Sequence, residues 1–434
     1  MQVFQDLGAL VETRWRDQSY DEAVFPDIAA EALAELTPGK HVDPWEIIHW
    51  LNRTTELPEQ RDVEGRFGDP PITLFNGPRF YIDVYYWLDG TTSIHQHSFC
   101  GAFQVFVGSS ILSQYSFEEK RRINARFLSG AMTLNKVELL EEGDIRRIYP
   151  GKQYIHSLFH LDRPSVSVVI RTQQSPSGLP QYNYFKPYFA VDPFFKEPTM
   201  IKRVQAASLL LSMRHPEADA FIAETLSRSD FQTAFSILDL AFNSLSYDRL
   251  EEAFGLSTGK ERFAGFLEIA RRRHGELVDL IQPVFEEAHR QQNLVLRRGQ
   301  ITGSEHRFFL ALLLNVPDRE KVLDLVRRRF PEQDPVNTVT DWVEELANTK
   351  VSGSSEPNVL GIDEIDEDYL FVLQCLLEGR NVEQTKSAFE EEFSAEDARS
   401  LGDKLERLYY DIQNSMLFRS IFLDSSISVA AHIH

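Results

Sequence analysis

The spacing of apolar positions changes twice along the chain, near residues 61 and 198, and divides it into three stretches. Residues 1–60 follow a helical period. DPWEIIHWL carries a full helix start: Asp43 to cap, Pro44 in the first turn, Glu46 three residues past the cap, then Ile47, Ile48 and Leu51 on one face. From 61 to 197 the pattern shortens. RFGDPPITLFNGPRF is rich in turn residues, and short β-type runs follow: FYIDVYYW (80–87), FQVFV (103–107), KVELL (136–140), DIRRIY (144–149), HSLFHL (156–161) and SVSVVIRT (165–172). Strands at this spacing predict a β-sandwich or barrel. The aromatic, proline-rich segment 176–194 reads as an ordered wrap over it. After 198 the 3.6-residue period returns, with Ile201, Val204, Ser208 and Leu211 on one face. Asp334 and Pro335 open a further helix whose face is Val336, Val339, Val343 and Leu346. Helices continue to about residue 423, with a candidate break at 351–361, and no repeat of fixed period recurs.

The expected fold class is therefore multidomain α+β. An N-terminal helical segment (1–60) packs on a β-barrel (61–197), and a large all-α domain (198–434) follows. A chain of 434 residues is long enough for two or three cores. Its formal net charge of −21 argues against nucleic acid or an anionic membrane as partner. The two cysteines, Cys100 and Cys375, are too few for a disulfide framework or a cysteine-rich zinc site. The N-terminus lacks the pattern of a signal peptide, and no apolar run is long enough to span a membrane, so the expectation is a cytoplasmic protein.

Candidate chemistry concentrates in TTSIHQHSFCGAF (91–103). On a strand, residues i and i+2 share a face, which puts His95 and His97 side by side, roughly 7 Å apart. Two imidazoles so placed suit one divalent ion, given a third ligand from another strand. His156 offers it, opening a strand after a Gly143-Asp144 turn and a Pro150-Gly151 turn. His160, two pleats on, reads as a supporting or surface residue. Tyr154, Tyr85 and Tyr115 are candidate cavity-lining phenols, with core packing the favoured alternative. Cys100 reads as a small apolar filler.

The order His-x-His, then G-D-strand-P-G-x4-H, resembles the cupin superfamily of double-stranded β-helix barrels over about residues 65–175. The match runs through Gly90, His95, His97, Gly101 and Gly108, then Gly143, Pro150, Gly151 and His156. Gly101 stands where most of that family has an acidic ligand. This, with W-x-x-G-T-T-S-I-H-x-H at Trp87–His97, is similar to the three-histidine branch of cysteine dioxygenase and related thiol dioxygenases. That branch has a Ser-x-His-x-Tyr stretch on a later strand; here the positions are Ser167, Val169 and Arg171, so only the serine matches.

The resemblance implies Fe(II) held by His95, His97 and His156, with zinc, nickel or manganese as alternatives. Three neutral imidazoles would leave room on the ion for a small-molecule substrate, a thiol or small acid, and for dioxygen. Arg66, Arg79 and Arg171 are the candidates to hold a substrate carboxylate; Ser167, Arg171, Tyr154 and His160 are candidates around the metal. The alternative expectation is a sensor: a metal-binding barrel whose helical domain binds a protein partner or forms a homodimer. A third is an isomerase or hydrolase using the metal as a Lewis acid.

Overall fold

A computed structural model of the chain describes all residues except 62, 64–66, 89–92, 174, 176–177, 247–257, 351–355, 364, 393–394 and 423–434. Three helices come first, α1 (Gln2–Asp17), α2 (Phe25–Leu36) and α3 (Pro44–Arg53). The start of α3 is as its sequence dictates: the Asp43 side chain accepts from Trp45 N, and the Asp43 N–H is returned to Glu46 at 3.2 Å.

Eleven described strands follow: β1 (Pro71–Asn76), β2 (Phe80–Trp87), β3 (Ile94–His95), β4 (Gly101–Val107), β5 (Ser110–Asn124), β6 (Phe127–Leu140), β7 (Ile145–Ile148), β8 (Ile155–His160), β9 (Ser165–Thr172), β10 (Asn183–Phe185) and β11 (Phe189–Val191). Their pairing is antiparallel throughout. One sheet has the order β1-β2-β9-β4-β7, and the other runs β10-β11-β6-β5-β8-β3 and closes on itself through β3 and β10. The result is a double-stranded β-barrel of the kind expected from the motifs, followed by a large helical region. Tyr85, Trp87, Phe103, Val105 and Val169 of the first sheet pack inside it on Leu112, Leu140 and Leu158 of the second.

Alternation sorts the two faces of the first sheet. On β9, Val166, Val168 and Ile170 point out and join Phe4, Leu7, Val11, Phe25 and Leu33 of α1 and α2 in an apolar layer. Ser165, Ser167, Val169 and Arg171 therefore point inward. β9 is thus buried on both sides, inward by the barrel and outward by the helices.

The structure departs from the sequence expectation at two places. The segment after Pro180 is not a wrap: β10 and β11 enter the second sheet, and β10 supplies the pairing that closes it. A long hairpin also appears where the sequence suggested a strand only at 136–140: β5 and β6 pair along their whole length, with three register shifts. The outer half of β5, EEKRRIN, is charged and exposed, so it lacks the alternation that marks a half-buried strand.

The helices after the barrel begin with α4 (Pro198–Ser212), α5 (Ala218–Arg228), α6 (Phe231–Leu245), α7 (Thr258–His274) and α8 (Ile281–Gly299). Most of them gather around Phe127 and Phe189 at the end of the hairpin. Next come α9 (Ser304–Asn315), α10 (Arg319–Arg329), α11 (Pro335–Ala347), α12 (Glu367–Leu377), α13 (Val382–Glu392), α14 (Ala395–Asn414) and α15 (Arg419–Phe422). Their core takes in Ile111, Leu139, Phe159 and Leu161 from the outside of the barrel. Asp334 caps α11 by accepting from Val336 N and Asn337 N, and Val339, Val343 and Leu346 are buried on its inner face.

Candidate metal centre

His95 closes β3, and its backbone pairs directly with His156 of β8. His97 lies beyond the end of β3, in an isolated parallel bridge to Pro150, and its carbonyl accepts the Gly151 N–H at 2.8 Å. Gly151 has φ +66°, a conformation that suits glycine. The Pro-Gly turn before His156 is therefore also what fixes His97. The expected pair on one continuous strand is replaced by a strand end and a bridge, yet the rings still meet.

All three imidazoles are buried, and one ring nitrogen of each lies within 4.8 Å of the others. His97 Nε2 and His156 Nε2 are 2.8 Å apart, and ring centroids are separated by 4.5 to 5.0 Å. Two nitrogens each about 2.0–2.1 Å from one ion stand about 3–4 Å apart. The His97–His156 pair sits at the tight end of that spacing, and the whole group is slightly wider. His95 Nδ1 is 2.7 Å from the Ser93 carbonyl, so that nitrogen carries the proton and leaves Nε2 its lone pair. The donor set fits a divalent first-row ion, and it is the one such group of three or more among the described residues.

Burial lowers the pKa of each of the three; at His97 the neighbouring His95 and His156 and the Arg171 charge lower it further. Neutral imidazole is the form that binds a metal. Gly101 explains the missing carboxylate. A Cβ at this position would overlap the Ile170 carbonyl oxygen of β9, so no side chain can grow inward from there.

Around the histidines, Arg171 stacks its guanidinium 3.3 Å from the centre of the Phe99 ring and 5.2 Å from that of Tyr81. Its Nε is buried without a hydrogen-bond partner. Ser167 lies deeper and accepts from Trp87 Nε1 at 3.0 Å. The Tyr154 ring packs 4.5 Å from that of His156. His160 is inside the barrel rather than at a surface: it stacks on Trp87 at 4.5 Å, its Nδ1 is 3.1 Å from Ser110 Oγ, and burial lowers its pKa to about 3. It stands apart from the three-histidine group. Arg79 is exposed over the Tyr20 ring on the N-terminal helices, away from the cluster. Arg66 lies outside the described residues, as do Gly90 and the terminal His432 and His434.

Tyr85 is where the sequence placed it, among the cavity-lining phenols, whereas Asp83, Phe99 and Ser93 did not stand out in the sequence. Tyr85 lines the interior, and its hydroxyl donates to Asp83 Oδ2 at 2.8 Å. Burial and the Asp83 charge raise its pKa well above the usual phenol value. A signal for Asp83 was present, since it is a lone acid at the inward parity of β2, in step with Tyr85 and Trp87.

No family model matches this sequence, and no curated protein matches it. Solved structures similar to it include a cupin-2 domain protein from Shewanella frigidimarina, 12% identical, spanning 31% of this chain and 98% of its own, with a TM-score of 0.19. A cupin superfamily protein from Desulfitobacterium hafniense is 13% identical over 28% of this chain and 97% of its own, with a TM-score of 0.18. A double-stranded β-helix protein from Klebsiella pneumoniae is 14% identical over 30% of this chain and 87% of its own, also at 0.18. Among the described residues, no helix is long and apolar enough to cross a membrane.

Proposed function

We propose that this chain is a mononuclear non-haem metal enzyme, a dioxygenase-like oxidoreductase that acts on a small anionic molecule such as a thiol or small acid. One observation carries the reading: three buried, neutral imidazoles converge without a carboxylate, beside an arginine whose Nε–H is unpaired. Iron bound there would supply Lewis acidity and redox capacity. The protein's own groups do the rest. Burial keeps the imidazoles unprotonated, the Ser93 carbonyl orients His95, and Gly101 keeps a fourth anionic ligand out. Arg171, held flat on Phe99, presents a cation to the substrate's anionic group. The raised pKa of Tyr85 keeps it protonated, a hydrogen-bond donor rather than a phenolate.

The purified chain, loaded with Fe(II) and assayed for metal content and oxygen uptake with small thiol carboxylates, tests this. One iron per chain and substrate-dependent uptake are expected. His97→Ala should lose the metal. Arg171→Gln should keep the metal and raise KM by about tenfold or more. A protein that binds no divalent metal ends the proposal. Activity retained on exchanging iron for zinc would move it to Lewis-acid chemistry.

A second reading, a metal-bound sensor, is favoured by the Arg298 guanidinium of α8. It donates to the carbonyls of His160 and Leu161 at 3.2 and 2.8 Å and so ties the His156 strand to the helices. Bound metal without turnover, together with a helix-borne protein partner, would support that reading.

A further inference from the structure

A cavity of about 580 Å³ lies between the barrel and helices α8 and α9. On the barrel side it meets Ile94 and Ser157, which alternate with His95 and His156 on their strands, so it lies behind the histidine wall. On the helix side it meets Val284, Val295, Leu296 and Leu314. The size and the mix of apolar walls with a few polar groups are those of a small-molecule site.

Two features define the occupant. First, Leu296 is 68% exposed and Phe185 38%, so large apolar side chains are left uncovered at this cavity. Second, the charges are unequally engaged. Glu287 is held by two hydrogen bonds from Arg290 and one from Gln291; burial opposes its charge, but Arg290 wins and its pKa is about 2. Its carboxylate is thus already neutralised by Arg290. Lys186 reaches Glu287 only through space, and its ammonium stands 5.2 Å over the Tyr115 ring at the cavity wall. The cation is therefore the group available to a ligand.

We propose that this cavity binds a small organic carboxylate with an apolar body, its carboxylate on Lys186 and its body against Val295, Leu296 and Tyr115. The site is separate from the three histidines.

Calorimetric titration of the full chain with 4-phenylbutyrate and with decanoate tests this, with 4-phenyl-1-butanol as the uncharged counterpart. Saturable binding of a carboxylate is expected, with the alcohol about tenfold weaker. Lys186→Gln should weaken carboxylate binding about tenfold and leave the alcohol unchanged. Ala288→Phe, which fills the cavity, should abolish both, with its melting transition checking the fold. His97→Ala should bind as the parent does, which separates this site from the metal centre. No saturable binding of either carboxylate would overturn the proposal, as would equal affinity for Lys186→Gln and the parent, or a site lost with His97→Ala.

Discussion

At the scale of single residues, four buried histidines, His95, His97, His156 and His160, all have pKa values lowered by burial. In the unfolded chain each titrates near about 6.5. Below that pH the unfolded state takes up protons that the native state refuses, so stability is present above it and is lost as pH falls. For metal-free protein, the unfolding free energy from urea titrations should therefore drop between about pH 6.5 and 5, by up to about 1.4 kcal/mol per pH unit for each such imidazole. A flat profile over that range would contradict the neutral cluster. Metal should raise the midpoint at pH 7 and do so less as the pH falls, since protons compete for the same nitrogens.

Gly101 gives a second test at this scale. Gly101→Glu would place an acid beside the three histidines, yet its Cβ has no room beside Ile170. The substitution should cost about 1–3 kcal/mol of unfolding free energy and weaken metal binding instead of strengthening it. The histidines themselves were legible in the sequence because ligand spacing is a local pattern. Phe99 and Tyr81, which hold Arg171 in place, were not, because they reach it from β2 and the loop before β4 through pairing that no local pattern encodes.

Among elements, the legible ones have a clean period or a cap. The capping box of α3 and the cap of α11 appear as read, and Asp43→Ala should cost about 1 kcal/mol of stability without moving metal affinity. A thermal melt and a metal titration of the same variant check both halves of that statement. The hairpin β5–β6 was missed for the opposite reason: its charged outer end stands in water, and it is strand because its partner pairs with it. β3 is shorter than expected, and β8, β10 and the Pro150 bridge hold its histidines in place. Ser167 and Arg171 could be placed on one face from the alternation in β9. That this face is the inner one followed only from α1 and α2 covering the other.

At the scale of the molecule, the helical region packs directly against the barrel wall. Arg298 and Arg307 are buried and donate to backbone carbonyls, and Arg329 reaches Ser109 at 3.0 Å. Arg298→Met keeps about the same volume but removes the donor to the His160 and Leu161 carbonyls. It should cost about 2–4 kcal/mol. The loss should appear first as earlier exchange of the β8 amides in hydrogen-exchange measurements. Equal protection of β8 in parent and variant would argue that the strand does not depend on the helices.

Ile111, Leu139, Phe159 and Leu161 pack outward into a core whose other half is made from residues 294 to 421. During synthesis these barrel residues leave the ribosome well before their cover. At about 5–20 residues per second, the interval from Leu161 to α10 is roughly 10–30 s. Over that interval the growing chain completes its barrel through β10 and β11 and carries it with an uncovered apolar back. A chain ended at residue 197 would keep that back bare permanently and should be recovered from cells as aggregate or bound to chaperones, with the full chain as the soluble control.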